Sequence, residues 1–111
     1  MILPHVDSAR VEEKKIREYL LNLAHLQGQS KAKFFQGKGF AEESWQVFRN
    51  ALVEQARRNP VAAQSADEYG QRFVVDCHCP TPDGSNPCIR TVWEIVPETH
   101  CSRLITAHPK K

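Results

Sequence analysis

Arg72-Phe-Val-Val-Asp-Cys-His78 and Cys88-Ile-Arg-Thr-Val-Trp-Glu-Ile-Val96 are the stretches that decide the fold of this chain. Both alternate apolar and polar residues, the pattern of a strand that buries one face. Between them lies Pro80-Thr-Pro-Asp-Gly-Ser-Asn-Pro87, rich in residues that set turn geometry. Pro97 ends the second strand, Glu98 to Cys101 turns the chain, and Ser102-Arg-Leu-Ile-Thr-Ala107 reads as a third strand. A pairing centred near Gly84 sets Phe73, Val75 and Cys77 beside Thr91, Trp93 and Ile95 on a core face. Arg72, Asp76, His78, Arg90 and Glu94 then share the open face. A slip of one residue mixes the two sets and buries charge.

Upstream the period lengthens to that of helices. Met1-Ile-Leu-Pro4 reads as an extended arm, and Asp7 or Ser8 caps a first helix that stops near Asn22. Val11, Ile16, Leu20 and Leu21 form its apolar stripe, and Glu12, Glu13, Lys14, Lys15 and Arg17 face water. Ser30 caps a short second helix that buries Ala32, Phe34 and Phe35 and ends at Gly37 and Gly39. Ala41 to Arg58 is the third and clearest helix, with Trp45, Phe48, Leu52, Val53 and Ala56 at spacings of three and four. Asn59-Pro60 stops it. Trp45 and Trp93 read as core anchors, and Ala63 to Glu68 as a polar linker. The expectation is one α+β domain over residues 1–111, with a helical half (1–60) and an antiparallel β-meander (69–107). Three N-terminal helices pack on one face of a three- or four-stranded antiparallel sheet.

Composition narrows the function classes. At 111 residues, 41% apolar and 25% charged, the chain has the make-up of a single globular domain. No apolar run approaches the roughly 20 residues needed to span a bilayer, and no secretory signal opens the chain. A soluble cytoplasmic protein without a membrane role is expected. Residues 1–60 carry ten Lys/Arg against seven Asp/Glu, and residues 61–111 carry five against six. The helical half is therefore mildly basic, which suits phosphate but equally suits an ordinary solvated surface.

Cys77-His-Cys79, Cys88 and His100-Cys101 invite a zinc reading. Their spacing argues against it, because C-x-C within a strand points both thiols to one face and His78 to the other. Cys88, at the base of the hairpin, can approach Cys79. A disulfide and reduced thiols both stay open, and no metal or cofactor is expected.

The chain holds no Ser-His-Asp order, phosphate-binding glycine loop, dinucleotide fingerprint or H-E-x-x-H element. What it offers is Asn22 to Phe35, which brings His25, Gly28, Lys31 and Lys33 to a helix entry that already favours anions. RNA cleavage without metal needs a base for the 2′-hydroxyl, an acid for the leaving oxygen and cations for the phosphate. His25 has the right ordinary pKa for base or acid. Lys31, Arg72 and Arg103 can balance phosphate charge. Thr91 can position the ribose, and Lys33, Tyr69 and Thr106 can contact substrate. The same residues also fit a plain structural account: a capping imidazole, solvated lysines, and strand arginines paired with Asp76 and Glu94.

Several blocks together carry a resemblance. Leu3-Pro4, Tyr19-Leu-Leu-Asn22, His25, Gly28, Lys31-Ala32, Phe35 and Gly39-Phe40 occur in order. Glu68-Tyr-Gly-Gln-Arg-Phe73, Arg90-Thr-Val-Trp93 and Arg103-Leu-Ile-Thr-Ala107 follow. In this the chain resembles an uncharacterised bacterial domain family found as C-terminal tails of polymorphic toxins and as small free-standing proteins, often beside a tiny partner gene. The helix-then-sheet order of that family is similar to the Barnase–EndoU–Colicin–RelE ribonuclease group. The resemblance implies a toxin-like, metal-independent ribonuclease with His25, Lys31, Arg72, Thr91 and Arg103 as catalytic residues. It also implies an RNA substrate and a small cognate antitoxin or immunity protein. The alternative is a non-catalytic interaction module of a two-protein pair. Departures are His25-Leu26 where the family commonly has His-Pro, Ser30-Lys31 where His-Lys is common, and Lys38 where leucine is usual.

Overall fold

The computed structural model describes residues 1–22, 29–68, 70–96, 98 and 101–110. The expected α+β order holds. A short 3-10 turn (Val6–Ser8) precedes α1 (Glu13–Lys15), which runs on as a π-helical stretch, Ile16–Leu20. Then come α2 (Gln29–Gly37), a 3-10 turn (Glu42–Ser44) and α3 (Trp45–Arg58). Four strands follow, β1 (Val61–Asp67), β2 (Gly70–His78), β3 (Cys88–Ile95) and β4 (Ser102–Pro109). They form one antiparallel sheet in the order β1-β2-β3-β4.

The first helix begins later than Asp7 or Ser8. The stretch before it is drawn out as an extended arm along β4: Arg10 N–H donates to the Ser102 carbonyl at 2.7 Å, and Leu104 N–H donates to the Arg10 carbonyl at 2.9 Å. Backbone groups spent on the sheet edge cannot also start a helix. The polar stretch read as a linker is β1, an edge strand that pairs with β2 from Val61↔Val75 to Asp67↔Gly70. Residues 62–67 are all exposed, so β1 has no buried face to reveal itself in the sequence. Gly70 closes the β1–β2 connection at φ 151°, where a Cβ would lie 2.6 Å from the Ile95 carbonyl oxygen. That site admits only glycine.

The β2–β3 register follows the expected face assignment. Phe73 lies opposite Trp93 and Val75 opposite Thr91 on the core face, and Arg72 lies opposite Glu94 and Asp76 opposite Arg90 on the other. Cys77 departs from it. Its φ of 114° breaks the strand geometry, and it is half-buried instead of joining the core face.

Ile16, Leu20, Leu21, Phe35, Phe48, Leu52 and Ala56 pack against Phe73, Val75, Ile89, Trp93, Leu104 and Ala107. The rings of Phe40 and Phe48 stack at 4.4 Å, with Phe35 4.7 Å from Phe48. Trp45 is not a core anchor. It is half-buried, with the Arg49 guanidinium 5.1 Å from its ring, because Ala51 and Gln55 rather than Trp45 and Val53 complete the buried stripe of α3.

Gln55 sits at the centre of the helix–sheet layer, fully buried. Its amide nitrogen donates to the Val75 and Ile89 carbonyls at 3.0 and 3.2 Å. Its amide oxygen accepts from Thr91 Oγ1 at 2.8 Å, and Thr91 Oγ1 in turn accepts from Trp93 Nε1 at 2.8 Å. One side chain thus satisfies polar groups of both central strands.

Candidate active site

The π-helical stretch shapes the site. Leu21 N–H donates to the Ile16 carbonyl at 2.8 Å, five residues back, and this wider turn lets Ile16, Leu20 and Leu21 all bury. Tyr19 is left half-buried on the adjoining flank. On α2, Ala32 and Phe35 face the core and fix the helix rotation, so Lys31 lies half-buried at the boundary. Its Nζ donates to Tyr19 Oη at 2.5 Å and to Thr106 Oγ1 of β4 at 3.3 Å. The same ammonium lies 4.9 Å from the centre of the Tyr19 ring, and Lys15 Nζ lies 5.5 Å from it. Ammonium, phenol and hydroxyl therefore meet at one point, drawn from three separate segments of chain.

This point opens into a groove of about 600 Å³ bordered by Glu12, Lys15, Glu18, Tyr19, Lys31 and Thr106, with Lys14 and Ile105. The hydrogen bond from Lys31 holds the Tyr19 phenol below its ordinary value of 10.0; a hydrogen bond with Thr106 and the charges of Lys31 and Lys15 act the same way, against the effect of burial. A phenol tuned downward beside an ammonium is an acid better matched to neutral solution than free tyrosine.

The residues expected from the sequence divide. Lys31 and Thr106 come together. Arg103 lies next to the groove: its guanidinium meets Glu94 at 2.9 Å and Glu12 at 3.7 Å, and Glu12 also borders the groove. Arg72 is exposed on β2, across Glu94 in the same sheet row. Thr91 is not a site residue in this arrangement, since it is fully buried with its hydroxyl committed to Gln55 and Trp93. Lys33 is exposed, and a residue two positions from Lys31 on a helix points to another side, so it does not border the groove. His25 and Tyr69 lie outside the described residues.

Sequence reasoning missed Tyr19. The available signal was a tyrosine directly before the buried pair Leu20-Leu21, whose polar tip needs a partner at the core boundary. Among the described residues no group of three or more His, Cys, Asp or Glu side chains is placed to hold a metal ion. Likewise, no described helix is long and apolar enough to cross a membrane.

A small α+β domain with an ammonium–phenol–hydroxyl cluster at the flank of a four-stranded antiparallel sheet is the class these features define. Residues 2–111 match a family described as a domain of unknown function, DUF6883, and the chain belongs to that family. Its fold is similar to that of a chain in a contact-dependent growth inhibition toxin–immunity protein complex from Klebsiella pneumoniae 342. The TM-score is 0.74 at 19% identity, covering 90% of this chain and 98% of that one. No curated protein matches the sequence. Neither likeness carries a ribonuclease with it.

Proposed function

We propose that this domain is a toxin-type endoribonuclease that cleaves RNA without metal at the Tyr19–Lys31–Thr106 groove. The observation that carries the reading is the Lys31 ammonium held between the Tyr19 and Thr106 hydroxyls beside an open groove. In the reaction, a ribose 2′-oxygen attacks the neighbouring phosphorus, the new O2′–P bond forms, and the P–O5′ bond breaks. Lys31 faces the phosphorane oxygens, where negative charge develops. Tyr19 gives its proton to the departing O5′. Thr106 accepts a hydrogen bond from Lys31 and so orients the ammonium. His25, four residues ahead of α2 in sequence, takes the 2′-hydroxyl proton.

The reading also gives the domain a cognate protein partner, in line with its structural neighbour, which comes from a toxin–immunity protein complex. Purified protein incubated with cellular RNA in EDTA is expected to fragment it. Intact RNA at stoichiometric enzyme overturns the proposal. Expression without a partner should slow growth, and Lys31→Met should restore it.

The lowered Tyr19 pKa gives a pH prediction with a defined sign. An acid must carry its proton, so the cleavage rate should fall as pH rises through the Tyr19 pKa, beginning below pH 10.0. The chain has two tyrosines, so Tyr69→Phe leaves Tyr19 as the one phenol in an ultraviolet absorbance titration. In that background Lys31→Met should move the transition back up. A transition that does not move removes Lys31 as the cause.

A further inference from the structure

Cys77 and Cys88 lie on neighbouring strands with their sulfur atoms 2.8 Å apart. They are not directly opposite in the ladder, where Cys77 faces Ile89 and His78 faces Cys88. The unusual backbone of Cys77 makes the contact. At φ 114° it holds a conformation that side chains rarely adopt, and the thiol leaves the core row for Cys88. The other two thiols are placed differently. Cys79 is fully buried, its Sγ 3.6 Å from the Ala51 carbonyl, and Cys101 borders a hollow with Arg10 and Arg103. Both residues of the pair are half-buried, so neither is sealed in the core as Cys79 is.

We infer that Cys77 and Cys88 are a modification site, a dithiol that closes to a disulfide across the β2–β3 hairpin when it meets a small-molecule disulfide oxidant. The thiolate of one cysteine attacks a sulfur of the oxidant, forming a mixed disulfide and expelling one thiolate. The second cysteine then attacks the protein-bound sulfur, the Cys77–Cys88 bond forms, and a second thiolate leaves. Two protein thiols are oxidised, one oxidant disulfide is reduced to two thiols, and the two protons end on those thiols. Burial and the neighbouring Cys77 sulfur push the Cys88 thiol up to about 11, so attack by Cys88 should quicken in alkali. Burial pushes Cys79 to about 12, which keeps that nearer-in-sequence thiol out of the exchange.

The bond encloses only the Pro80–Pro87 turn and its flanks, so it pins the hairpin rather than joining distant parts of the chain. Closing this loop should raise Tm by about 10–15 °C. Because neither cysteine touches the groove, the inference stands or falls apart from the nuclease reading.

The test treats reduced protein with glutathione disulfide, alkylates free thiols and measures the mass of tryptic fragment 73–90, which contains Cys77, Cys79 and Cys88. One alkylated cysteine in that fragment is expected, and the Cys79→Ser variant should retain the bridge. Three alkylated cysteines overturn the inference. A bridge that survives Cys77→Ser but not Cys79→Ser overturns it equally, since it would join Cys79 to Cys88.

Discussion

Replacing Lys31 by methionine should lower the single-turnover rate of RNA cleavage about 10²–10³-fold, the loss typical of a donor that faces more negative charge in the transition state than in the ground state. The substitution keeps most of the aliphatic stem of the half-buried Lys31, so the fold should hold. What it removes is the ammonium that donates to Tyr19 and Thr106. Two consequences distinguish this from damage to packing. Far-ultraviolet circular dichroism and Tm should change little, and RNA binding should weaken far less than the rate. Lys33→Met, on the exposed side of the same helix, should leave the rate within about threefold, as expected of a surface charge. Equal losses at the two positions would mean that the lysines act only as general basic charge on α2.

Gln55→Leu should cost about 3 kcal/mol of stability, a large loss for a substitution that leaves the volume of the core unchanged. The leucine matches the glutamine in size but gives nothing to the Val75 and Ile89 carbonyls or to the Thr91 hydroxyl. The Ile89 carbonyl would lose this partner outright and the Thr91 hydroxyl would keep only a long contact, 3.5 Å, to the Val75 carbonyl, between α3 and the sheet where water does not replace the amide. For a domain of this size the change should lower Tm by about 15 °C. The double variant Gln55→Leu with Thr91→Val should be less damaged than the sum of the two singles, since it removes an orphaned hydroxyl together with its partner. Trp93 Nε1 would still lack its acceptor, so recovery should be partial. A Tm for Gln55→Leu within about 3 °C of the parent would mean that the network adds little to stability.

The parts of the fold that were legible in the sequence were those with a buried face. Phe73, Val75, Trp93 and Ile95 recur at every second position, with Arg72, Asp76 and Glu94 among the residues between and beside them, and this period assigned the faces of the β2–β3 pair. The β1 strand was hidden because its residues after Val61 are exposed and small or polar; it is a strand only because β2 offers it an edge. The start of α1 was obscured in the same way, since Arg10 is drawn onto β4 by a long-range contact that no local pattern records. Gln55 carries no sign of burial in its own window, yet its four polar partners come from strands twenty and more residues away.

The site was partly legible for a related reason. Lys31 and Thr106 were identifiable as polar residues beside apolar ones, but their meeting depends on α2 lying against β4. Tyr19 went unread because its role comes from the π-helical turn, which local spacing does not announce. Thr91 misled, since a threonine beside a tryptophan looks the same in sequence whether it faces a substrate or a buried amide.

Cleavage of a short RNA in EDTA, with the new ends identified by mass spectrometry, tests the central claim most directly. If the 2′-oxygen is the nucleophile and Lys31 and Tyr19 serve the phosphate, the upstream fragment should end in a 2′,3′-cyclic phosphate. A single 2′-deoxy substitution at the cut position should then block that cut. Fragments ending in a free 3′-hydroxyl, or cutting that continues at the deoxy position, would contradict the account.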